Sequence, residues 1–210
     1  MQRSMEKRWL GLWKRMGAKG DGNRVYAELA ACYNEPHRAY HTLAHIKHCF
    51  KELEYVRHLA ENQNAVEMAL WFHDAVYDTK AKDNEEKSAE LARRVTQTIS
   101  LSARFGKCVA DLILATKHEE LPTNPDAQLV VDIDLAVLGL PERTFDENTR
   151  KIRKEYAWVS EDAFVAGRSK ILKSFLERPH IYLTRFFRKK YEARARHNIE
   201  RYLVHVNQIP

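Results

Sequence analysis

The hydrophobic and polar positions of this chain repeat with the period of an α-helix along almost its whole length. One stretch shows the pattern clearly, because Leu43, Ile46, Phe50, Leu53 and Val56 all fall on one face of a helix. A stripe of this kind is typical of a helix that buries one side in a core. No segment alternates between apolar and polar residues as a half-buried strand does. We therefore predict an all-α fold, a compact multi-helix bundle.

Turn residues and helix caps divide this pattern into successive helices. No repeat, low-complexity tract or linker separates them. We therefore expect a single domain over residues 1–210, whose core spans about 36–141, with the terminal helices packed on it. The predicted helices cover residues 6–16, 24–33, 41–59, 62–77 (capped by Asn62 or Asn64), 84–98 (capped by Asn84), 103–118, 126–138, 145–158, 162–176 and 181–205.

The N-terminal segment is basic and carries large apolar residues at helical spacing. Such a segment suits either a membrane-surface helix or a transit peptide. The more usual role of this stripe is to dock on a core, and we favour that role for Met5, Trp9, Trp13 and Met16. No apolar run is long enough to span a bilayer, so we expect no membrane partner.

Charge and cysteine content narrow the classes of function. The 210 residues carry a formal net charge of +6, which favours an anionic partner: a phosphate ester, nucleic acid or an acidic surface. Cys32, Cys49 and Cys108 are widely spaced and contain no C-x-x-C pair. This pattern argues against a disulfide framework and favours a reducing compartment, so we expect a cytoplasmic protein.

Polar residues that interrupt an apolar run point to a metal site. His73 and Asp74 are adjacent within the apolar segment 71–77. Burying an imidazole beside a carboxylate is costly unless both are paired or bind a metal, and a divalent cation suits both donors. His41 and His45 lie four residues apart in a predicted helix, so we expect them to share the face that points at the same ion.

A second apolar run, residues 130–138, contains Asp132 and Asp134. Buried aspartates are rare unless they are paired. We expect one of the two to bind the metal and the other to support a ligand from behind. The alternative for the second aspartate is a hydrogen-bond acceptor that caps a neighbouring helix.

Four motifs occur in a fixed order along the chain: YHTLAH at 40–45, WFHDAVYD at 71–78, NEEKSA at 84–89 and DIDLAVLG at 132–139. Together they resemble the HD-domain superfamily of metal-dependent phosphohydrolases, and in particular a bacterial group of predicted HD phosphohydrolases. The resemblance implies an all-helical domain that hydrolyses the phosphate ester of a nucleotide or another small phosphorylated metabolite. It also implies a divalent cofactor: Mn, Mg, Co, Ni, Fe or Zn.

The resemblance assigns ligands residue by residue. His45 matches the first histidine ligand of the family, and His73 with Asp74 matches the His-Asp doublet. Asp134 matches the final aspartate better than Asp132 does, because in relatives the aspartate is followed closely by an apolar or basic residue and Leu. Asp132 is then expected to support a metal ligand without binding the metal itself.

The same comparison suggests which group protonates the leaving oxygen. His41 resembles the histidine of Tyr-His-Asn-x-x-His that has this role in the cyclic-nucleotide phosphodiesterase branch, although Thr42 here replaces the Asn. The acids after the doublet, Asp78, Glu85 and Glu86, are alternatives. Glu85 and Glu86 also suit a plain capping box.

A phosphate substrate requires cationic or hydrogen-bonding contacts. Arg38, Lys82, Lys117 and His118 lie in or beside the motif segments, and we expect substrate contacts from them, above all from Lys117 and His118. The expected partner is a small anionic phosphorylated molecule, and the chain itself is compatible with a homodimer.

Two other functions stay open from the sequence. The basic segment 185–201 could bind nucleic acid, with the metal site structural. We expect a solvated helix face there instead, because Phe186, Phe187, Tyr191 and Tyr202 are spaced like its core side. The third function is an iron-dependent oxygenase of the HD type, which usually needs further histidine or carboxylate ligands.

Overall fold

A computed structural model describes residues 2–206. These residues form ten α-helices and three short 3-10 helices, and no strand occurs among them, which confirms the all-α prediction. The α-helices are α1 (Gln2–Met16), α2 (Gly22–Cys32), α3 (Leu43–Val56), α4 (Gln63–Phe72), α5 (Asn84–Thr98), α6 (Ala103–Leu114), α7 (Pro125–Leu135), α8 (Glu142–Glu155), α9 (Glu161–Leu176) and α10 (Arg185–Val206). The 3-10 helices are Arg57–Leu59, Ala115–Lys117 and Ala136–Gly139.

The start of α3 corrects one prediction about the site. Thr42 is the N-cap of α3, and its hydroxyl accepts a hydrogen bond from the amide of Ala44 at 3.3 Å. His41 therefore lies before the helix, so the prediction that His41 and His45 share a helix face is wrong. Thr42 is a favoured N-cap because a threonine side chain can accept a hydrogen bond from an amide of the first turn.

The fourth helix is shorter than predicted. It ends at Phe72, with His73 as its C-cap and Asp74 in the turn that follows. Asn62 is the N-cap and accepts from the amide of Ala65 at 3.0 Å, which confirms one of the two predicted caps. His73 and Asp74 therefore lie at the end of α4, where the backbone leaves the helix.

Several other predicted boundaries differ for similar reasons. The sixth and seventh predicted helices end as 3-10 turns, because helix ends commonly tighten into that geometry. Asp83, not Asn84, is the N-cap of α5. The side chain of Asn84 instead bridges to Asp78, where it accepts from the amide at 3.0 Å and donates to the carbonyl at 2.9 Å. The last helix begins at Arg185 rather than at residue 181.

The chain divides into two compact units between Val131 and Asp132, inside the continuous helix α7. The predicted core of 36–141 extends past this division, and the single domain stays a prediction. In the first unit α4 contacts α1, α3, α5 and α6. All of its residues from Ala65 to Phe72 are buried, as expected for a helix surrounded by others.

Helix α1 packs on the same core. Met5 and Trp9 are buried, which confirms docking for these two predicted residues. The Trp9 ring meets Trp71 edge to face with centroids 5.6 Å apart, and its N–H donates to the Gly22 carbonyl at 2.8 Å. Aromatic pairs of this geometry add to the energy of burial. Among residues 2–206 no helix combines the length and apolarity that a bilayer crossing needs.

The second unit is organised around α10. Phe187, Tyr191 and Ile199 of this helix are buried. The Asn198 amide donates to the carbonyls of Leu138 and Leu140, each at 2.8 Å, and so ties α10 to the 3-10 turn after α7. Buried hydrogen bonds of this kind fix how a helix is aligned with its neighbour.

Candidate metal centre

The end of α4 fixes the orientation of the His73 imidazole. Nδ1 lies 3.2 Å from the Leu70 carbonyl oxygen, which can only accept, so Nδ1 carries the proton and donates. In the neutral ring, Nε2 is then left with its lone pair facing away from α4. A backbone carbonyl that sets the tautomer in this way is typical of metal-binding histidines.

Three donor atoms converge at this point. His45 Nε2 lies 3.2 Å from His73 Nε2. Oδ2 of Asp74 lies 3.1 Å from His73 Nε2 and 3.5 Å from His45 Nε2. Both imidazoles are almost fully buried, whereas the Asp74 side chain is 17% exposed. The site is therefore enclosed by protein on the imidazole side and reachable from solvent near the carboxylate.

These separations fit the ligands of one cation. Two donors about 2.0–2.1 Å from a metal lie about 2.9 Å apart at a right angle and about 3.4 Å apart at the tetrahedral angle. The three observed distances run from 3.1 to 3.5 Å. When none of the three atoms carries a hydrogen, their lone pairs repel one another, and a cation between them would remove that cost.

One further residue brings a ligand atom to this point. The ligand atoms of His45, Cys49 and His73 all lie within 4.8 Å of one another. Asp134 lies on the last turn of α7, in the second unit, and its role as a ligand stays a prediction. Cys49 was missed by the sequence interpretation, although it stands one helical turn after His45, and that spacing was its only signal.

Arg38 holds the backbone of the doublet in place. Its buried guanidinium donates to the carbonyls of Asp74 at 2.6 Å, Ala75 at 3.0 Å and His41 at 3.1 Å. Its Nε donates to the Glu35 carboxylate at 2.9 Å. One planar group thus joins the turn after α4 to the segment before α3, so Arg38 positions both ligand-bearing segments. Its predicted contact with a substrate phosphate stays a prediction.

Ser88 of the NEEKSA motif fixes the same turn from α5. Its hydroxyl accepts from the amide of Val76 at 3.0 Å and lies 3.3 Å from the carbonyl of that residue. On the other side, the Tyr33 hydroxyl donates to the Trp71 carbonyl at 2.8 Å. The turn that carries Asp74 is therefore tied to the protein before and after the doublet.

The carboxyl group of Asp74 is electrostatically suited to a cation. Burial alone would raise its pKa, but the nearby imidazoles of His73, His41 and His45 hold the pKa well below its usual range. A carboxyl group in this setting stays ionised at neutral pH. Asp74 therefore offers a full negative charge, which a cation could take up in place of the charge of the imidazoles.

His41 lies next to these ligands, although it is outside α3. Its ring stacks on Tyr77 with centroids 4.0 Å apart, and its centroid is 6.2 Å from that of His45. Tyr40 lies against His45, with centroids 5.1 Å apart. The stacking holds the His41 imidazole at the edge of the site, where a leaving group could receive its proton.

The three candidate acids have different surroundings. Asp78 is exposed, and its Oδ1 accepts from the amide of Lys80 at 2.9 Å within its own loop. Glu86 is exposed and pairs with Lys117 at 2.6 Å. Glu85 is half-buried, and burial followed by the negative charge of Asp74 raises its pKa. Of the three, Glu85 has the environment of a proton donor.

The other predicted substrate contacts lie just before α5 and just after α6. Lys117 bonds Glu86, and this bond raises the pKa of its ammonium group. His118 follows it with a left-handed φ of 59°, at the end of the 3-10 turn. Lys82 is exposed in the loop before α5. Contact of these three with a substrate stays a prediction.

Asp132 is a hydrogen-bond acceptor that caps a helix, which is the alternative role considered for it from the sequence. Its oxygens accept from the amides of Leu183 and Thr184 and from the Thr184 hydroxyl, each at 2.7 Å. Burial raises its pKa to about 6 in spite of these three bonds. The donors immediately precede α10, so the carboxylate caps that helix within the second unit.

We expect Asp132→Asn to lower stability without removing the metal. The amide keeps one accepting oxygen and turns an N–H toward a donor, which costs about 1–3 kcal/mol for the buried group left unsatisfied. Urea unfolding and metal content measured on the same preparations test this. Loss of metal from Asp132→Asn at unchanged stability would contradict this and show that Asp132 supports metal binding.

Comparison with known proteins assigns no relative to this chain. No family model, curated protein or solved structure matches it. Membership of the HD-domain superfamily stays a prediction from the four motifs. Function therefore has to be inferred from the chemistry of the site.

Proposed function

We propose that this chain is a metal-dependent phosphohydrolase that cleaves the phosphate ester of a nucleotide or another small phosphorylated metabolite. The observation that carries the proposal is the convergence of His45 Nε2, His73 Nε2 and Asp74 Oδ2 at 3.1–3.5 Å from one another. The motif order and the net charge of +6 support a phosphate ester as the substrate.

In the proposed reaction, different residues bind the metal, position its ligands and leave access for the substrate. A divalent cation bound here would supply a Lewis acid that polarises a phosphoryl oxygen and activates water near neutral pH. His45 and His73 would hold it through nitrogen, and Asp74 would balance part of its charge. Arg38 and Ser88 hold Asp74 in position through the backbone of residues 74–76. The solvent-exposed edge at Asp74 is the side from which a phosphate can enter.

His41 and Glu85 are the candidates for protonating the leaving oxygen. The His41 ring is held against Tyr77, and Glu85 has a raised pKa that keeps a proton available closer to neutrality. The two groups approach the site from different segments, one before α3 and one at the start of α5. Of these two residues, only the one that donates the proton should be needed when the leaving group is poor.

We expect His41→Ala or Glu85→Gln to slow turnover by about a hundred- to ten-thousand-fold while the metal content stays at the native level. The group that acts as the acid should lose far less rate with a nitrophenyl ester, whose leaving group needs no proton. Glu90→Gln is the matched control, because Glu90 is an exposed carboxylate of the same helix as Glu85 and pairs with Arg93. Native rates in both variants on an alkyl ester would exclude these two residues as the acid.

The basic C-terminal helix favours a small substrate over nucleic acid. Arg188 and Arg194 donate to main-chain carbonyls, Arg196 to carbonyls and to Glu192, and Arg201 to Asp146. Arginines bound within their own unit contribute less to a phosphate-binding surface than solvated ones do. We therefore keep nucleic-acid binding only as an outcome of the test.

The test uses the purified full chain. Bound metal is measured by elemental analysis, and phosphate release is screened on nucleotides and sugar phosphates with added Mn, Mg, Co, Ni, Fe or Zn. Release by the native chain and not by Asp74→Ala supports the proposal. Turnover that survives the loss of Asp74 contradicts it. Oxygen uptake with iron would favour an oxygenase, and salt-sensitive binding of DNA or RNA without turnover would favour a nucleic-acid-binding protein.

A further inference from the structure

A cavity of about 460 Å³ lies in the second unit, where the last turns of α10 meet α8 and the start of α9. Its volume falls within the range of about 300–1,000 Å³ that is usual for small-molecule sites. The charged and aromatic side chains that line it include Arg150, Arg153, Phe164, Arg201, Tyr202 and His205. None of these residues belongs to the candidate metal centre, so a ligand bound here would be held independently of the metal.

The charges of the cavity favour an anion. Its two carboxylates are matched by arginines, because Glu161 accepts from Arg153 at 2.7 Å. In the same way, Asp146 accepts from Arg201 at 2.5 Å. A third arginine, Arg150, is exposed and has no ion-pair partner within the part of the chain that the structure describes. The lining therefore keeps the positive charge of Arg150, which attracts a negatively charged group.

His205 of α10 is a second polar group without an internal ion pair. It lines the cavity, is exposed and pairs with no carboxylate among residues 2–206. Its imidazole carries at least one N–H donor in either protonation state. The guanidinium of Arg150 offers a planar pair of donors that matches a carboxylate or a phosphate. Both side chains can therefore donate hydrogen bonds to the charged end of a ligand.

Aromatic side chains form another part of the lining. Phe164 is buried and Tyr202 is half-buried. The wall at Phe164 is fixed, because the Arg153 guanidinium lies 5.1 Å from the centroid of that ring. Arg153 also donates to the carbonyls of Tyr156 and Val159 at 2.7 and 3.0 Å. A wall that is already held in place costs less free energy to order when a ligand binds.

We propose that this cavity binds a small organic anion. Arg150 and His205 hold its carboxylate or phosphate group, and Phe164 and Tyr202 contact its apolar part. This binding is independent of the proposed phosphohydrolase activity. The competing explanation is a surface groove whose arginines only hold α8, α9 and α10 together. That explanation accounts for the two paired arginines but leaves Arg150 without a role.

Isothermal titration calorimetry on the full chain tests this site, with EDTA present so that no metal holds the probe at the other centre. The probes are phenyl phosphate, benzoate and benzamide, which keeps the shape of benzoate without its charge. We expect at least one of the two anions to bind, with benzamide about tenfold weaker or more, because hydrogen bonds to charged groups are stronger than neutral ones. Benzamide binding as tight as that of the better anion, or no binding of either anion, would overturn the proposal.

Two substitutions locate the bound probe. Arg150→Gln removes the unpaired charge and should weaken anion binding by about tenfold or more. Val165→Phe fills part of the cavity with a larger side chain and should weaken binding as well. Arg143→Gln is the matched control and should bind like the native chain, because Arg143 is an exposed arginine of α8 that pairs with Glu147 at 3.0 Å.

The same variants separate this site from the metal centre. Arg150→Gln should keep the native level of metal-dependent phosphate release, because Arg150 is not a residue of that centre. Native affinity for the anion in both Arg150→Gln and Val165→Phe would overturn the proposed cavity site, whatever the chain does with phosphate esters.

Discussion

His73→Ala should abolish metal binding and, with it, any metal-dependent phosphate release. The His73 ring contributes the nitrogen that lies closest to both other donors, at 3.1 Å from Asp74 Oδ2 and 3.2 Å from His45 Nε2. Loss of groups that only support a ligand typically costs 10- to 100-fold in metal affinity, so loss of the ligand itself should cost more than about 100-fold. Turnover should fall to the background of the assay.

Two controls separate this result from general damage. His58→Ala removes an exposed imidazole of the same unit and should leave metal content and rate unchanged. Asp74→Asn keeps the shape of the side chain and removes only its charge, so it should bind metal more weakly than the native chain without unfolding it. Circular dichroism checks that each variant is folded. Native metal stoichiometry in folded His73→Ala would show that the imidazole is not a ligand.

Glu67→Ala should be the most destabilising single substitution among those considered for the first unit. The Glu67 side chain is completely buried on α4. It pairs with Arg8 at 2.9 Å, with Arg57 at 2.8 Å and with Arg15 of α1. Removing one partner from a buried ion pair typically costs about 3–5 kcal/mol. We expect the low end of that range or slightly less here, because Arg8, Arg15 and Arg57 are 21–45% exposed and water can replace part of the lost pairing.

Glu54→Ala is the matched control for this change. Glu54 pairs with two of the same arginines, Arg8 at 2.7 Å and Arg57 at 3.4 Å, but its side chain is 56% exposed. Pairs this exposed are screened by water and contribute about 0–1 kcal/mol. Urea unfolding of both variants gives the comparison. Equal losses for Glu54→Ala and Glu67→Ala would show that the buried carboxylate has no special role in joining α1 to α4.

Helical periodicity was sufficient for much of the fold because it reports burial directly. The apolar face of residues 43–56 became α3, and the apolar run before His73 became α4. Caps were harder to predict, because several polar residues near a helix end compete for the same amides. Thr42 captured the start of α3 and so placed His41 outside it, a difference of two residues that changed the geometry of the pair.

The site was predictable where polar residues interrupt apolar runs. His45, His73 and Asp74 were found in this way, and their ligand atoms lie 3.1–3.5 Å from one another. Asp134 was proposed on the same grounds, and its role as a ligand stays a prediction. Cys49 was missed because a buried cysteine does not stand out from the apolar residues around it. The supporting role of Arg38 was also missed, since its bonds go to backbone carbonyls of segments far apart in sequence. Such bonds have no signature in the sequence.

The most direct test of the central claim is anomalous diffraction from a crystal of the full chain soaked with Zn²⁺ or Co²⁺. The claim is that His45, His73 and Asp74 bind one cation between them. We expect one strong peak within about 2.0–2.2 Å of both Nε2 atoms and of an Asp74 oxygen. A peak elsewhere, or no peak at saturating metal with these side chains still 3.1–3.5 Å apart, would contradict it.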